Sequence, residues 1–175
     1  MRYVNQCAST IGGILLAADE TGLTGLWFEG QKYYARTLEP KHEEGDLPVF
    51  GETKKWLDIY FSGQEPDFMP AVHMIGTEFQ IMVWEILRQI PYGEVITYGD
   101  IARRIAERKG LGHMSAQAAG GAVGHNKISI IVPCHRVVGA DGNLTGYAGG
   151  LDRKMKLLEL EKADMDGLFV PKKER

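Results

Sequence analysis

The chain has 175 residues and 44% apolar content, which fits a globular protein with one large domain or two small ones. Its apolar runs are all shorter than the ~18 residues of a membrane span, and its first residues lack the apolar core of a signal peptide. Cys7 and Cys134 are too few for a disulfide framework, so we expect two reduced cysteines in a cytoplasmic protein.

The net charge of −3 is distributed unevenly along the chain. Residues 1–70 carry 6 basic and 11 acidic side chains, whereas residues 71–175 carry 14 and 12. The second half is therefore weakly positive, which permits DNA binding of modest, salt-sensitive affinity. Composition alone does not suggest DNA as a partner.

The first 70 residues are predicted to form a structural α/β domain. Ile14–Ala18 and Gly25–Phe28 are candidate strands of an antiparallel sheet. His42–Asp46 is predicted to be an acidic linker, and a helix is predicted near Gly51–Ser62, after Pro48. This half contains no catalytic constellation, which favours a purely structural role.

A domain boundary is predicted at Glu65–Pro70, because two prolines four residues apart disfavour regular structure. The domains are then 1–70 and 71–175. Apolar spacing and turn signals predict four helices in the second domain: from Thr77 to Gln89, Tyr98 to Arg108, Ser115 to Val123, and Asp152 to Ala163. The second and third are separated by Gly110–Gly112 and indicate a helix-turn-helix.

The third helix consists almost entirely of small residues, beginning Ser115, Ala116, Gln117. Such a helix cannot fill a major groove, but it can lie against the narrower minor groove of DNA. It could equally pack closely against a neighbouring helix. Spacing alone does not separate these two readings.

A Cys-His pair lies between two buried apolar segments, Ile130–Val132 and Val137–Val138, the first of which is predicted to be a strand. A thiol buried in a strand is normally inert, because burial disfavours the thiolate. Here His135 and a positive charge follow Cys134 directly. Adjacent strand residues face opposite ways, so His135 reaches the thiol only if Pro133 breaks the pleat or water bridges them. We expect a water relay.

Pro133–Val137 resembles the active-site motif of the O6-alkylguanine-DNA alkyltransferases, or methylated-DNA–protein-cysteine methyltransferases. The similarity runs from about Thr77 to Glu161, and only a permissive match precedes Met74. Further similar positions are Phe79-Gln80, Val83-Trp84, Ile90-Pro91-Tyr92-Gly93, Thr97-Tyr98-Gly99, Asn126 and Gly146–Leu151. The resemblance implies an α+β fold: an N-terminal antiparallel sheet with a helix, then a mainly helical domain that holds the helix-turn-helix and the active-site cysteine.

The resemblance also implies the catalytic roles. Cys134 attacks the alkyl carbon, and His135 takes the thiol proton through water. Glu161 orients the imidazole, in the manner of a Ser-His-Asp triad. Helical spacing places Glu161 on an inward face of the last helix and leaves Glu159 solvated. Asn126 ties the third helix to the Cys134 segment, or simply caps that helix.

For the substrate, the resemblance implies double-stranded DNA bound through the minor groove, with the damaged nucleotide flipped out. Tyr98 would donate a hydrogen bond to the flipped guanine, and Tyr147 would form a wall of its pocket. The carbonyls of Cys134 and Val137 and the amide of Ala148 would complete the recognition of the base. Ser115, Ala116, Gln117 and Arg136 are expected to contact DNA. Transfer would be stoichiometric and irreversible, by a monomer. The sequence leaves open the preference between O6-alkylguanine and O4-alkylthymine.

Two positions depart from the family pattern. Gln117 stands where many members have an arginine that fills the gap left by the flipped base. Asn126-Lys127-Ile128-Ser129 stands in place of an Asn-Pro-x-Pro run. The histidine spacing fits no metal site, so we expect neither a metal nor a cofactor.

Three other functions compete with the alkyltransferase. A non-catalytic lesion-binding relative would keep the helix and pocket but lack the cysteine. A Cys-His hydrolase would not need the helix-turn-helix, and a regulatory DNA-binding protein would leave Cys134 and His135 unexplained.

Overall fold

The computed structural model describes residues 2–31, 34, 35, 38, 42–144 and 146–171. The chain divides into two compact units, and each is described separately. The first comprises Met1–Ile75 and Lys127–Ile131, and the second comprises Gly76–Asn126 and Val132–Arg175. In the part described, none of the helices is both long and apolar enough to cross a membrane.

The first unit is built on a four-stranded sheet in the order β3-β2-β1-β4. Strands β1 (Arg2–Ser9), β2 (Gly12–Ala18) and β3 (Leu23–Phe28) pair antiparallel with one another in that order, as expected of an antiparallel sheet. All of β3 and most of β2 are buried, which accounts for their continuous apolar runs.

The predicted acidic linker is instead an edge strand. Strand β4 (His42–Glu44) pairs in parallel with β1, and all three of its residues are exposed. Exposed charged residues are common on edge strands because they discourage pairing with another chain. Helix α1 (Pro48–Phe61) begins at the proline itself, earlier than predicted, since a first-turn proline lacks only an N–H that would be unpaired anyway.

Residues 127–131, far from the first unit in sequence, also belong to it. The Leu26 amide donates to the Lys127 carbonyl at 2.8 Å, and the Ser129 amide donates to the Leu26 carbonyl at 3.1 Å. The Lys127 side chain donates to the carbonyl of Ile75 at 2.6 Å. A single boundary near residue 70 therefore does not describe this division of the chain.

The second unit contains the predicted helices, and their starts follow from local capping. In α2 (Glu78–Arg88), Thr77 and Gln80 form a reciprocal capping box, and Thr97 and Asp100 do the same for α3 (Tyr98–Lys109). Helix α4 (Ala116–Gly124) is capped by Ser115, whose hydroxyl accepts from the amide of Ala118.

Helix α4 packs against both α2 and α3 through small side chains. Ala119, Ala122 and Val123 are buried, and the indole of Trp84 donates to the Ala122 carbonyl at 3.0 Å. The exposed side chains of α4 lie at its start. Helices α3 and α4 form the expected helix-turn-helix, and α5 (Leu151–Leu160) completes the helical set.

The segment before the cysteine is a series of turns and not the predicted strand. Ile130 has a positive φ of 70°, which is incompatible with a regular strand. Cys134–Arg136 forms a short 3₁₀ helix that follows Pro133. Only Val137–Val138 is extended, as strand β6, which pairs in parallel with β5 (Ile96–Thr97).

Candidate active site

Cys134 opens the short 3₁₀ helix and is 7% exposed. Burial raises the pKa of its thiol, and three interactions oppose that rise: a hydrogen bond from Asn126, the charge of Lys154 and a local backbone hydrogen bond. These are the interactions that stabilise a thiolate. The site therefore keeps the sulfur protonated at rest but supplies partners for its anion.

His135 lies in the same 3₁₀ helix and is fully buried. Its Nε2 is 2.6 Å from Oε2 of Glu161. An ionised carboxylate only accepts hydrogen bonds, so Nε2 carries the hydrogen and Nδ1 keeps its lone pair. Nδ1 is buried and has no hydrogen-bond partner among the described residues. Burial lowers the pKa of His135 despite the opposing effect of Glu161, so the ring is a neutral base.

Glu161 follows the last residue of α5, and its carboxylate accepts from three groups. Besides His135, Arg136 donates from Nε at 2.8 Å and from Nη2 at 3.0 Å, and the Gly93 amide donates at 3.1 Å. Burial alone would raise the pKa of Glu161, but its bonds to His135 and Arg136 hold that pKa well below the ordinary value. The carboxylate is therefore a permanent anion that fixes the imidazole.

Arg136 has a structural role that the sequence did not predict. It is 8% exposed, and its third donor, Nη1, reaches the carbonyl of Ile90 at 2.7 Å. Its guanidinium fork is used on Glu161 and Ile90, and the contact of Arg136 with DNA stays a prediction. Arg136 holds the carboxylate behind His135.

A buried lysine completes the site. Lys154 of α5 is fully buried, and its Nζ donates to the Val137 carbonyl at 2.6 Å and lies 5.9 Å from the centre of the Tyr98 ring. Burial lowers the pKa of Lys154 to about 8, against a smaller opposing effect of Cys134. The ammonium is thus a positive charge that acts on the thiol from inside the fold.

Asn126 lies just after α4. Its amide is 7% exposed and donates to the Val132 carbonyl at 2.7 Å. This hydrogen bond holds together the two residues that flank 127–131, the segment that belongs to the first unit. The C-cap of α4 is His125, so Asn126 serves mainly as the tie between the helix and the cysteine segment.

The expected base-binding residues come from α3, β6 and the loop before α5. Burial and the nearby Cys134 raise the pKa of Tyr98 to about 12, so its hydroxyl remains a hydrogen-bond donor. Gly146 has φ +95°, and a Cβ there would lie 2.6 Å from that hydroxyl. Tyr147 is 8% exposed, with its ring edge-on to His135 at 6.4 Å between centroids. Ala148 is half-buried in the same loop.

The expected DNA-contacting residues of α4 lie at its exposed start. Ser115, Ala116 and Gln117 are all exposed. The Ser115 hydroxyl is already engaged as the N-cap. In the described part of the chain, no three His, Cys, Asp or Glu side chains are grouped as metal ligands would be.

Known proteins resemble both halves of this chain. The family model for the 6-O-methylguanine DNA methyltransferase DNA-binding domain matches residues 78–163, and the model for the ribonuclease-like domain of the same enzymes matches residues 3–71. The methylated-DNA–protein-cysteine methyltransferase of Haemophilus influenzae is 41% identical over 91% of this chain and 86% of its own length. The protein of that name from Methanosarcina acetivorans is 46% identical over 87% of this chain and 94% of its own.

The chain belongs to the methylated-DNA–protein-cysteine methyltransferase family.

Solved structures agree with this family membership. The crystal structure of Mycobacterium tuberculosis OGT in complex with DNA is 42% identical, with a TM-score of 0.77, and covers 91% of this chain and 92% of that one. The α+β fold predicted from sequence is thereby confirmed. The family model also extends the similarity through residues 3–71, a region where the sequence alone offered only a permissive match.

For this methyltransferase family member, sequence reasoning missed Lys154. The signal was present in the sequence, because Lys154, Leu157, Leu158 and Glu161 recur at the spacing of one helix face. A lysine on a face that also carries two buried leucines and the proposed catalytic carboxylate indicates a buried charge with a partner. The inward Glu161 and exposed Glu159 are placed as that spacing predicts.

Proposed function

We propose that this protein repairs DNA by transferring the alkyl group of O6-alkylguanine to Sγ of Cys134. An S–C bond forms while the bond between the alkyl carbon and O6 breaks, and the bonding electrons leave with the guanine oxygen. His135 takes the thiol proton and passes a proton on to the purine ring as guanine is restored. The reaction consumes no cofactor and is balanced by these groups alone.

The observation that carries this proposal is the buried His135–Glu161 pair beside the cysteine. The 2.6 Å bond fixes the imidazole with Nδ1 as its base, and the neutral ring is ready to receive one proton. A charged Cys134–His135 pair is costly inside a protein unless other charges compensate it. Lys154 and Glu161 are placed to do so, because each is buried and carries the appropriate sign.

Each molecule would act once. A thioether is a poor leaving group, and its carbon is not activated toward water in the way that an ester carbonyl is. The product is therefore a stable S-alkylcysteine, and the amount of repair equals the amount of protein. This stoichiometry distinguishes the transferase from a Cys-His hydrolase, which would regenerate its thiol.

Docking through the minor groove follows from the composition of α4. Its exposed start offers Ser115, Ala116 and Gln117, whose small or slender side chains suit a narrow groove. The 7% exposure of Cys134 supports base flipping, because an alkyl carbon inside a duplex cannot reach a buried sulfur. Gln117, the longest of these three side chains, would support the base stack that flipping opens. We propose that one monomer performs the whole reaction.

The test is the intact mass of the protein after incubation with a duplex that contains one O6-methylguanine. We expect one methyl increment per molecule, located at Cys134 by peptide mapping. Cys134→Ala should abolish the increment, while Cys7→Ala should retain it, since Cys7 lies in the other unit. Repair of several lesions per molecule without a mass change would establish a hydrolase instead.

A duplex with O4-methylthymine tests the second lesion under the same conditions. O6-Alkylguanine is the proposed substrate because a purine offers the larger face to the two tyrosines of the pocket. Faster modification by the thymine duplex would reverse this assignment.

A further inference from the structure

A segment near the end of the described chain is hydrogen-bonded to a loop that leads into the active site. The amide of Leu144 donates to the Phe169 carbonyl at 2.9 Å, and the amide of Phe169 donates to the Gly142 carbonyl at 3.0 Å. These two bonds form an isolated parallel bridge between Asn143 and Phe169. We call residues Met165–Phe169 the strap and residues Asp141–Leu144 the clasped loop.

Apolar packing supports the same contact. Leu168 of the strap packs against a buried cluster that contains Leu144, Leu158 and Val138. Leu144 is fully buried although it belongs to a loop. Since Leu158 lies on α5 and Val138 on β6, the strap is anchored to elements that carry the active site.

The backbones of the strap and clasped loop approach too closely for a side chain to separate them. A Cβ at Gly142 would overlap the carbonyl oxygen of Gly167, and Gly142 has φ +92°. Gly167 has a similar φ of +78°, but a Cβ there would meet nothing within 4 Å. A side chain would strain the backbone at both glycines, but only at Gly142 would it also collide with the opposing backbone.

The clasped loop ends two residues before the segment that lines the proposed base pocket. Residues 146–150 contain Tyr147 and Ala148, and on their other side the Gly150 carbonyl accepts from the amide of Lys154 in α5. One end of this segment is thus bonded to α5, and the other end lies two residues from the anchored Leu144. The match to the family's DNA-binding domain stops at residue 163, before the strap begins.

We propose that the strap positions Tyr147 and Ala148 for base binding, so that it controls affinity for the damaged base without controlling the reactivity of Cys134. The proposal rests on the function proposed above. It assigns the strap residues a positioning role and no chemical step. The backbone hydrogen bonds from the strap to the rest of the unit go to the clasped loop, so binding and reactivity should separate.

Two matched pairs of variants in the full chain test it. Gly142→Ala forces the strap away, whereas Gly167→Ala imposes the same backbone strain without the overlap. Phe169→Pro removes the amide that donates to Gly142, whereas Phe169→Ala keeps it and alters only a side chain that is 43% exposed. The pairs are independent, so a folding failure in one does not remove the test.

The first readout is saturation of the alkylation rate with free O6-benzylguanine. Gly142→Ala and Phe169→Pro should raise the half-saturating concentration about fivefold or more, the scale of one lost backbone hydrogen bond, with the limiting rate preserved. Modification of Cys134 by iodoacetamide should be unchanged, and both control variants should match the unaltered protein. Equal behaviour within each pair, or a joint fall in limiting rate and iodoacetamide reactivity, would overturn the proposal.

A second readout does not depend on the reaction. Hydrogen exchange of the peptide covering residues 146–150 should accelerate in Gly142→Ala and Phe169→Pro and stay unchanged in the controls. Unchanged exchange in all four variants would overturn the proposed role of the strap. If the unaltered protein fails to react with either the lesion duplex or O6-benzylguanine, the proposed function fails, and the exchange data still decide whether the strap holds the loop.

Discussion

The imidazole of His135 and the carboxylate of Glu161 are 2.6 Å apart and both are buried. Because Arg136 and Gly93 also donate to this carboxylate, Glu161 has little freedom to turn away. The pair thus fixes both the orientation of the ring and the nitrogen that carries its hydrogen. The reactivity of Cys134 should depend on that arrangement more than on its own exposure.

Glu161→Gln keeps the size of the side chain but removes its charge. Glutamine can offer His135 either an oxygen or an NH2 group, so it no longer fixes the tautomer of the ring, and Arg136 would become a buried cation without its anion. We expect alkylation by O6-benzylguanine to slow about 100-fold or more and the free energy of unfolding to fall by about 3–5 kcal/mol. Rapid-quench kinetics and urea denaturation measure the two effects. Glu159→Gln, at an exposed site on α5, is the control, and equal losses in both variants would contradict the assignment.

The buried state of His135 also predicts how stability depends on pH. Its pKa is lowered from the ordinary 6.5, chiefly by burial, so below about pH 6.5 the unfolded chain binds a proton that the folded chain does not. Stability should therefore fall as the pH drops from 7.5 to 5.5. The same fall should be smaller in His135→Gln and unaltered in His113→Gln, an exposed histidine. The midpoints of urea unfolding at the two pH values measure this fall in stability. An equal fall in all three proteins would rule out a contribution from His135.

The features that sequence predicted well are those set by neighbouring residues. Thr77 and Thr97 begin helices because each finds its capping partner three residues later. Strand β4 was missed because nothing local makes His42–Glu44 extended. Its extended structure comes from pairing with Arg2–Val4, which lie near the start of the sequence.

The site divides in the same way. Cys134 and His135 were proposed from a local motif and Glu161 from the family resemblance, and their catalytic roles stay predictions. The hydrogen bonds of Arg136 to Glu161 and Ile90 were not predicted, because the sequence gives no local sign of those two partners. The strand predicted before Cys134 failed for a related reason, since an apolar run records burial and does not exclude the turn at Ile130.

Lys154→Met tests the buried charge near the thiol. Loss of the ammonium removes an interaction that lowers the pKa of Cys134, so the thiolate should form at higher pH. We expect the midpoint of the rate against pH to move upward and the rate at pH 7 to fall about tenfold, as for one pKa unit. Lys156→Met, exposed on the same helix, should leave both unchanged. A profile that falls in height without moving along the pH axis would show that Lys154 acts only through packing.

Gln117→Arg tests the exposed start of α4. An arginine at this position adds a cation to a stretch, Ser115–Ala118, that is exposed and carries no charge, so binding to a lesion duplex should tighten. If the cation meets a phosphate, the slope of log affinity against log salt should steepen by about 0.9. Gln89→Arg adds the same charge at an exposed site after α2 and serves as the matched control. Fluorescence anisotropy at several salt concentrations measures both. Equal gains in the two variants would mean that only net charge matters, and a loss of affinity in Gln117→Arg alone would mean that the glutamine itself fits the groove.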